Sequence, residues 1–192
     1  MTWLVPELQA PLVFTNPRIL AASLLLGLAA CAGPADPPPA QPSKSTFGGT
    51  DLAWVEINIA MNEELLPLLD LAGTKTADPG LKDLSAQVRT FTTEELGTLR
   101  ELHDEAGLPS ENPHKGMPMP GMVTPSLLAE ASRQRGENFD DLLAKSLREH
   151  LEQGQKLATG EQASGAETRT KELAARILRT RAATLEKLRE DY

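Results

Sequence analysis

The chain has 192 residues, with 19 lysines and arginines against 27 aspartates and glutamates, so its formal net charge is -8. A single cysteine excludes an internal disulfide and a zinc or iron–sulfur site built on several cysteines. The acidic balance excludes a typical nucleic-acid-binding protein, which needs a basic face to meet phosphate. Hydrophobic residues make up 40% of the chain and aromatic residues only 4%, which favours aliphatic helix packing over a β-sandwich.

The first thirty residues have the pattern of a secretory signal peptide. Residues 19–30 are an uncharged apolar run, with Arg18 before it and Cys31 directly after it. A helix of that length rises only about 18 Å, too little for a bilayer core of about 30 Å. A positive flank, a short apolar stretch and small residues at its exit therefore predict a signal peptide over residues 1–30. The alternative is a buried apolar helix that ends at an unrelated cysteine.

The residues around the cysteine predict where the protein is held. The tetrapeptide Leu28–Cys31 resembles a bacterial lipobox, which implies that Cys31 is lipidated and anchors an extracytoplasmic protein to the cell membrane or to an outer membrane. A lipidated Cys31 is neither a nucleophile nor a metal ligand. The rest of segment 31–50 is rich in proline and glycine, a composition that cannot bury a core, so we expect an extended tether.

From Asp51 onward the apolar residues recur with the period of a helix. Residues 81–102 carry one apolar stripe at three- and four-residue spacing. Asp78 followed by Pro79 predicts the start of this helix, and Gly107 predicts its end. The same spacing predicts two later helices, marked by the following apolar residues: Phe139, Leu143, Leu147 and Leu151 in one, and Leu173, Ile177, Leu185 and Leu188 in the other.

Two further signals concern the first helix and the connector. Pro67 lies within the first helical pattern, where it removes a backbone hydrogen bond, so we expect it to kink the helix or to end it early. Thr124 followed by Pro125 predicts the start of a shorter helix, which Gly136 is expected to break.

The chain resembles itself when it is shifted by 89 positions. In that register Asp51 falls on Asp140, and Val88 falls on Ile177. Further along, the segment Leu-Arg-Glu at 99–101 falls on an identical Leu-Arg-Glu at 188–190. A run of matches in one register indicates that a helical hairpin has been duplicated.

Two hairpins provide four amphipathic helices, and packing them together buries all four apolar stripes. The predicted fold is therefore all-α, an antiparallel four-helix bundle over residues 51–192. Its two repeats span about 51–106 and 140–190, and a methionine-rich connector spans about 107–124.

The lipobox, the duplicated hairpin and the methionine-rich connector together resemble the family catalogued as domain of unknown function 305. The resemblance covers about residues 51–190 and implies a ferritin-like four-helix bundle. Each repeat of that family carries a His-His pair ten and eleven positions after an Asp. Here the four equivalent positions hold Met61, Asn62, His150 and Leu151, so three of the four family histidines are absent. The resemblance therefore implies the fold, whereas its expected metal site is largely lost.

The connector contains the strongest candidate for metal chemistry. Met117, Met119 and Met122 fall within six residues, and His114 lies close to them. Thioether sulfur is a soft ligand that selects Cu(I), and imidazole suits copper in either oxidation state. The sequence therefore predicts a copper-binding loop. The alternative is that the methionines pack adaptably over the bundle.

A second candidate pair lies at equivalent positions of the two repeats. Met61 and His150 could face one another across the bundle and form a minimal soft-metal site. The alternative for His150, which lies on the apolar stripe of its helix, is a buried and hydrogen-bonded core histidine.

The usual catalytic motifs are missing from the sequence, so we expect that the protein is not an enzyme. Of the three histidines only His114 has a Glu three residues before it, Glu111, whereas a di-iron bundle requires this motif on two helices. There is also no Gly-rich phosphate loop, serine elbow or metalloprotease His pair. The predicted function is a non-catalytic, membrane-anchored lipoprotein that binds copper through the connector. The alternative is a structural or protein-interaction module of the cell envelope that has lost metal binding. Expected partners are the membrane and an envelope protein, and not nucleic acid.

Overall fold

The computed structural model describes residues 47–192, which contain five α-helices and no β-strand. The helices are as follows: α1 Gly49–Lys75, α2 Pro79–Ala106, α3 Pro125–Arg133, α4 Glu137–Ser164 and α5 Thr168–Asp191. The prediction of an all-α bundle is confirmed. None of the helices in this part of the chain is both long and apolar enough to cross a membrane. The predicted signal peptide, Cys31 and most of the tether lie outside the described residues.

The ends of α2 and α3 follow from their capping residues. The Asp78 carboxylate accepts a hydrogen bond from the Leu81 amide at 2.7 Å, and α2 ends at Gly107, whose φ of 67° suits glycine. Both ends of α2 lie where the sequence predicts them. Thr124 caps α3 as predicted, but α3 ends at Arg133, and Gly136 instead precedes the first residue of α4.

The prediction that Pro67 ends the first helix early is wrong, because α1 continues through it to Lys75. The Pro67 ring lies on the exposed side of the helix, whereas Leu68 and Leu69 directly after it are buried in the core. Burial of the residues beyond the proline therefore holds the last turns of α1 in place, despite the hydrogen bond that proline removes.

The four long helices form two hairpins, α1 with α2 and α4 with α5, which are the most extensive helix pairs. Near the start of α4, Asp140 accepts a hydrogen bond from the Ala77 amide, which follows α1, at 3.3 Å. Near the start of α1, Asp51 accepts one from the Ala166 amide, which follows α4, at 3.0 Å. Since the start of each helix meets the end of the other, α1 and α4 are antiparallel neighbours.

These two contacts are equivalent under the 89-residue shift, and the helix caps beside them are equivalent as well. In the first hairpin the Asp78 carboxylate caps α2 and accepts a hydrogen bond from the Leu81 amide at 2.7 Å. In the second hairpin the Glu167 carboxylate caps α5 and accepts a hydrogen bond from the Thr170 amide at 2.8 Å. The two halves of the bundle therefore share capping contacts as well as apolar stripes.

The connector has to return along the bundle, because α2 ends at one end and α4 starts at the other. On the α1–α4 side of the bundle, α3 packs against both of these helices. Val123 and Ala131, from the connector and from α3, are buried within the same core cluster as residues of α1 and α4. The connector and α3 therefore seal the groove between the two hairpins.

One charged pair lies in the interior, between α2 and α5. The Arg181 guanidinium donates two hydrogen bonds to the Glu95 carboxylate, at 3.0 and 2.7 Å. Each side chain is only 2% exposed, and the Phe91 ring centre lies 4.6 Å from the guanidinium carbon. The pair gives the core a fixed polar layer, because a buried charge is tolerated only with a matched partner.

Candidate metal centre

The turn before the methionines is fastened to α1 by two hydrogen bonds. The Asn112 side-chain amide donates to the Glu56 carbonyl oxygen at 2.7 Å. The Gly116 amide donates to the Glu64 carboxylate at 2.6 Å. These contacts hold the turn at residues 112–116 against α1, and they therefore fix the position at which the methionine-bearing segment starts.

A close backbone contact fastens the other end of this segment to α4. Gly121 has a φ of 74°, and a Cβ at this position would lie 2.6 Å from the Glu149 carbonyl oxygen and 2.7 Å from Cβ of Gln153. The Nδ1 atom of His150 lies 3.2 Å from the Gly121 carbonyl oxygen. Only glycine allows the connector to approach α4 this closely, so Gly121 sets the position of Met122.

The structure brings together methionines that the sequence assigns to two separate candidate sites. Met61 on α1 is 2% exposed and Met122 is 6% exposed, and they share a buried cluster with Ala60. Met119 packs against this cluster, and its carbonyl oxygen accepts a hydrogen bond from the Met122 amide at 3.1 Å. We call Met61, Met119 and Met122 the methionine cluster.

Two predicted ligands of the loop, Met117 and His114, are not members of this buried cluster. The Met117 side chain is 45% exposed. His114 is half-buried, and its Nδ1 atom is buried without a hydrogen-bond partner within the described part of the chain. The four-residue loop site stays a prediction, and the fold adds that Met61 of α1 packs with two of its members, Met119 and Met122.

His150 is buried and neutral where α4 meets the connector, at the residue before Met122. Its side chain is 1% exposed, and burial, together with the nearby Arg181 charge, lowers its pKa to about 3. A neutral imidazole has one N–H and one lone pair, and a carbonyl oxygen can only accept a hydrogen bond. Nδ1 must therefore hold the proton that it donates to Gly121, which leaves Nε2 with the lone pair that a metal ion requires.

Within residues 47–192 no three His, Cys, Asp or Glu side chains are grouped so as to hold a metal ion. The candidate centre is thus defined by the three packed methionines, and His150 contacts the same connector one residue before Met122. This set of donors is soft and uncharged, which suits a monovalent d¹⁰ ion better than a hard divalent ion.

The close contact at Gly121 makes a prediction about the connector. Replacing Gly121 by alanine should lower the free energy of unfolding by about 2–3 kcal/mol, because it adds both a positive-φ cost and an overlap with α4. Gly116→Ala is the matched control, since Gly116 has a φ of 76° and nothing within 4 Å of a Cβ. Urea titration of both variants measures the difference, and equal losses would contradict a steric role for the Gly121 contact.

Comparison with known proteins identifies the family of the chain. The family described as Domain of unknown function (DUF305) matches residues 54–192. The chain belongs to this family. A search of curated proteins finds no match.

Two crystal structures of DUF305 proteins share the fold of this chain. A candidate secreted DUF305 protein from Streptomyces coelicolor is 18% identical with a TM-score of 0.64, over 72% of this chain and 89% of its own. A DUF305 fragment from Deinococcus radiodurans is 13% identical with a TM-score of 0.66, over 76% of this chain and 96% of its own. At these identities the likeness concerns the fold alone. The DUF305 match carries no sign of catalysis.

Proposed function

We propose that this DUF305 protein is a non-catalytic binding protein outside the cytoplasm, anchored through a lipid on Cys31, and that it binds Cu(I) through the methionine cluster with help from His150. The observation that carries the proposal is the burial of Met61 together with Met122, with Met119 packed against them. Methionines from two parts of the chain pack in one cluster, and the neutral His150 contacts the connector one residue before Met122, which supports the proposal.

The proposed location is supported by the sequence before the bundle. A positive flank, a short apolar run and a lipobox-like tetrapeptide ending at Cys31 follow one another in the expected order. The DUF305 relative from Streptomyces coelicolor is described as a candidate secreted protein, which agrees with export. Labelling living cells with a radioactive fatty acid should label this protein and should fail to label a Cys31→Ala variant.

The proposed metal preference follows from the chemistry of the ligands. Thioethers bind Cu(I) well and hard divalent ions poorly, and a neutral imidazole adds no net charge. The three sulfurs are also shielded from water better than the exposed Met117. Cu(I) therefore fits this site better than Mg²⁺, Ca²⁺ or Zn²⁺.

Competition with a coloured Cu(I) chelator tests the site directly, with full-length protein in non-ionic detergent and without oxygen. Replacing Met61, Met119 and Met122 by leucine should weaken Cu(I) binding by at least tenfold while keeping the apolar packing nearly unchanged. Met117→Leu is the matched control, because that side chain is exposed and is not a member of the buried cluster. An unchanged affinity in the triple variant would refute the proposed site.

The second candidate function is a structural or interaction module that has lost metal binding. The observation that favours it is the buried positive charge of Arg181. This charge is close enough to His150 to help burial lower the pKa of that histidine. A fixed cation near a candidate metal centre disfavours a second positive charge, although Glu95 offsets much of it.

Thermal unfolding with Cu(I), Ag(I), Zn²⁺ and Fe²⁺ distinguishes the two functions. A ligand that binds only the folded state, at a free concentration a hundred times its Kd, stabilises that state by about 2.7 kcal/mol. The copper proposal predicts a rise in Tm with Cu(I) and Ag(I) that is lost in the triple leucine variant. The interaction module predicts no metal-dependent rise in Tm.

A further inference from the structure

A second buried polar cluster lies at the end of the bundle where α1 begins. It contains Asp51 from the first turn of α1, Glu161 from the last turn of α4 and Thr170 from the first turn of α5. Their exposures are 0%, 1% and 0%. The cluster therefore joins three helices at one point.

Asp51 is held as a carboxylate by the chain around it. It accepts hydrogen bonds from the amides of Gly48 at 2.6 Å, Ala166 at 3.0 Å and Glu167 at 3.1 Å. Burial alone would raise the pKa of Asp51, but hydrogen bonds with Glu161 and with the surrounding amides outweigh it and lower the pKa to about 2.

The hydroxyl of Thr170 links the carboxyl groups of Asp51 and Glu161. Its Oγ1 atom lies 2.9 Å from Oδ1 of Asp51, 2.5 Å from Oε1 of Glu161 and 2.8 Å from the Glu167 carbonyl oxygen. A hydroxyl has a single proton to donate, yet three acceptor oxygens surround this one. If Glu161 carries a proton, it donates to Thr170, and Thr170 donates onward to Asp51, so both carboxyl–hydroxyl contacts are satisfied.

The surroundings of Glu161 offer little to stabilise a second negative charge. Its Oε2 atom is buried with no hydrogen-bond partner among residues 47–192, and a Cβ on Gly165 would overlap its Oε1 atom. Burial is the largest cause that raises the pKa of Glu161, to about 7, and the Asp51 charge adds to it while Thr170 and Lys171 oppose it.

The geometry points to a proton-operated latch: with a proton on Glu161, the Asp51–Thr170–Glu161 cluster fastens the start of α1 to the α4–α5 turn, and loss of that proton releases it. When Glu161 ionises, two buried carboxylates, Asp51 and Glu161, face the Thr170 hydroxyl, which can donate its single proton to only one of them. The repulsion is relieved by moving the turn that holds Ala166 and Glu167 away from Asp51. This inference goes beyond copper binding and does not depend on it.

Other charged groups near the cluster act on it from each neighbouring element. On α5, Lys171 favours ionised Glu161, whereas the Glu167 carboxylate is occupied in capping the Thr170 amide. On α4, Lys156 lines the same surface groove as Glu161. The nearest acids of α2, Glu101 and Glu105, form ion pairs with Arg169 of α5.

The sign of the pH effect follows from the two states of Glu161. Its pKa is about 7 in the folded protein, against a reference value of 4.5. Between those values the folded state holds one more proton than the unfolded state, so this group's stabilisation is complete below 4.5 and lost as pH rises to about 7. The folding equilibrium constant should fall by up to about tenfold per pH unit across that window, relative to a variant without the titration.

Carbon-13 NMR of the full-length protein labelled at the glutamate carboxyl carbon reads the proton directly. We expect one glutamate signal with a midpoint near 7 that is absent from Glu161→Gln, whose neutral amide imitates the protonated acid. Above this midpoint the amides of Ala166 and Glu167 should exchange hydrogen at least tenfold faster in the wild type than in Glu161→Gln. Glu152→Gln, an exposed position on the same helix, is the matched control and should behave as the wild type.

Either of two results would overturn the latch. One is a wild-type spectrum in which every glutamate signal has its midpoint in the ordinary range near 4.5, a result that needs no variant to fold. The other is equal exchange of the Ala166 and Glu167 amides in the wild type and in Glu161→Gln above the midpoint.

Discussion

Replacing Glu95 by alanine should lower the free energy of unfolding by about 3–5 kcal/mol, because it leaves the Arg181 guanidinium buried without its partner. A loss of that size is a large part of the 5–15 kcal/mol that typically holds a domain together. Urea denaturation followed by circular dichroism measures it, with full-length protein in non-ionic detergent. Glu94→Ala is the matched control, since Glu94 is the exposed neighbour of Glu95 on α2.

The double replacement Glu95→Leu with Arg181→Met distinguishes two quantities. One is the net contribution of the ion pair to the free energy of unfolding, and the other is the penalty for leaving one of its charges buried without a partner. Apolar side chains of similar volume remove both charges together, so this variant should equal the wild type or exceed it by about 1–4 kcal/mol. A double variant as unstable as Glu95→Ala would mean that the pair stabilises the bundle beyond neutralising two buried charges.

The helices were predictable because their signals are local. Each apolar stripe specifies a helix face, and residues such as Asp78, Pro79 and Gly107 mark the ends through backbone chemistry that needs no tertiary contact. Pro67 shows where local signals fall short: of the two outcomes expected there, a kink or an early end, the early end does not occur, since the effect of a proline depends on whether the residues after it are buried. Leu68 and Leu69 are buried, and their packing carries the helix past the proline.

The candidate sites were only partly predictable because they depend on contacts between distant parts of the chain. The sequence indicates that Met119 and Met122 belong together, but only the fold brings Met61 to them. The sequence contains a signal for the Glu95–Arg181 pair, because each of these charged residues occupies a position on the apolar stripe of its helix, and both are buried. Which buried acid meets which buried base depends on how α2 and α5 pack, and neither stripe specifies that.

In the sequence Asp51 marks the repeat, where it is equivalent to Asp140. In the structure Asp51 is more deeply buried than Asp140 and accepts more hydrogen bonds. Both accept hydrogen bonds from the turn of the opposite hairpin. Asp51 is fully buried and takes three amides and a hydroxyl, whereas Asp140 is half-buried and takes the Ala77 amide and the Thr76 hydroxyl. The duplicated position has therefore diverged in burial while keeping its capping role.

Asp51→Ala should accordingly destabilise the bundle by about 3 kcal/mol, and Asp140→Ala by about 1 kcal/mol, because amides left without a partner cost more where water cannot replace the carboxylate. The pH dependence provides the control. The folded pKa of Asp51 is about 2 against a reference of 3.8, so its contribution is present above 3.8 and is lost as pH falls towards 2. The gap in unfolding free energy between the wild type and Asp51→Ala should narrow over that range. A gap that stayed constant would indicate that the side chain acts through its volume and not through its charge.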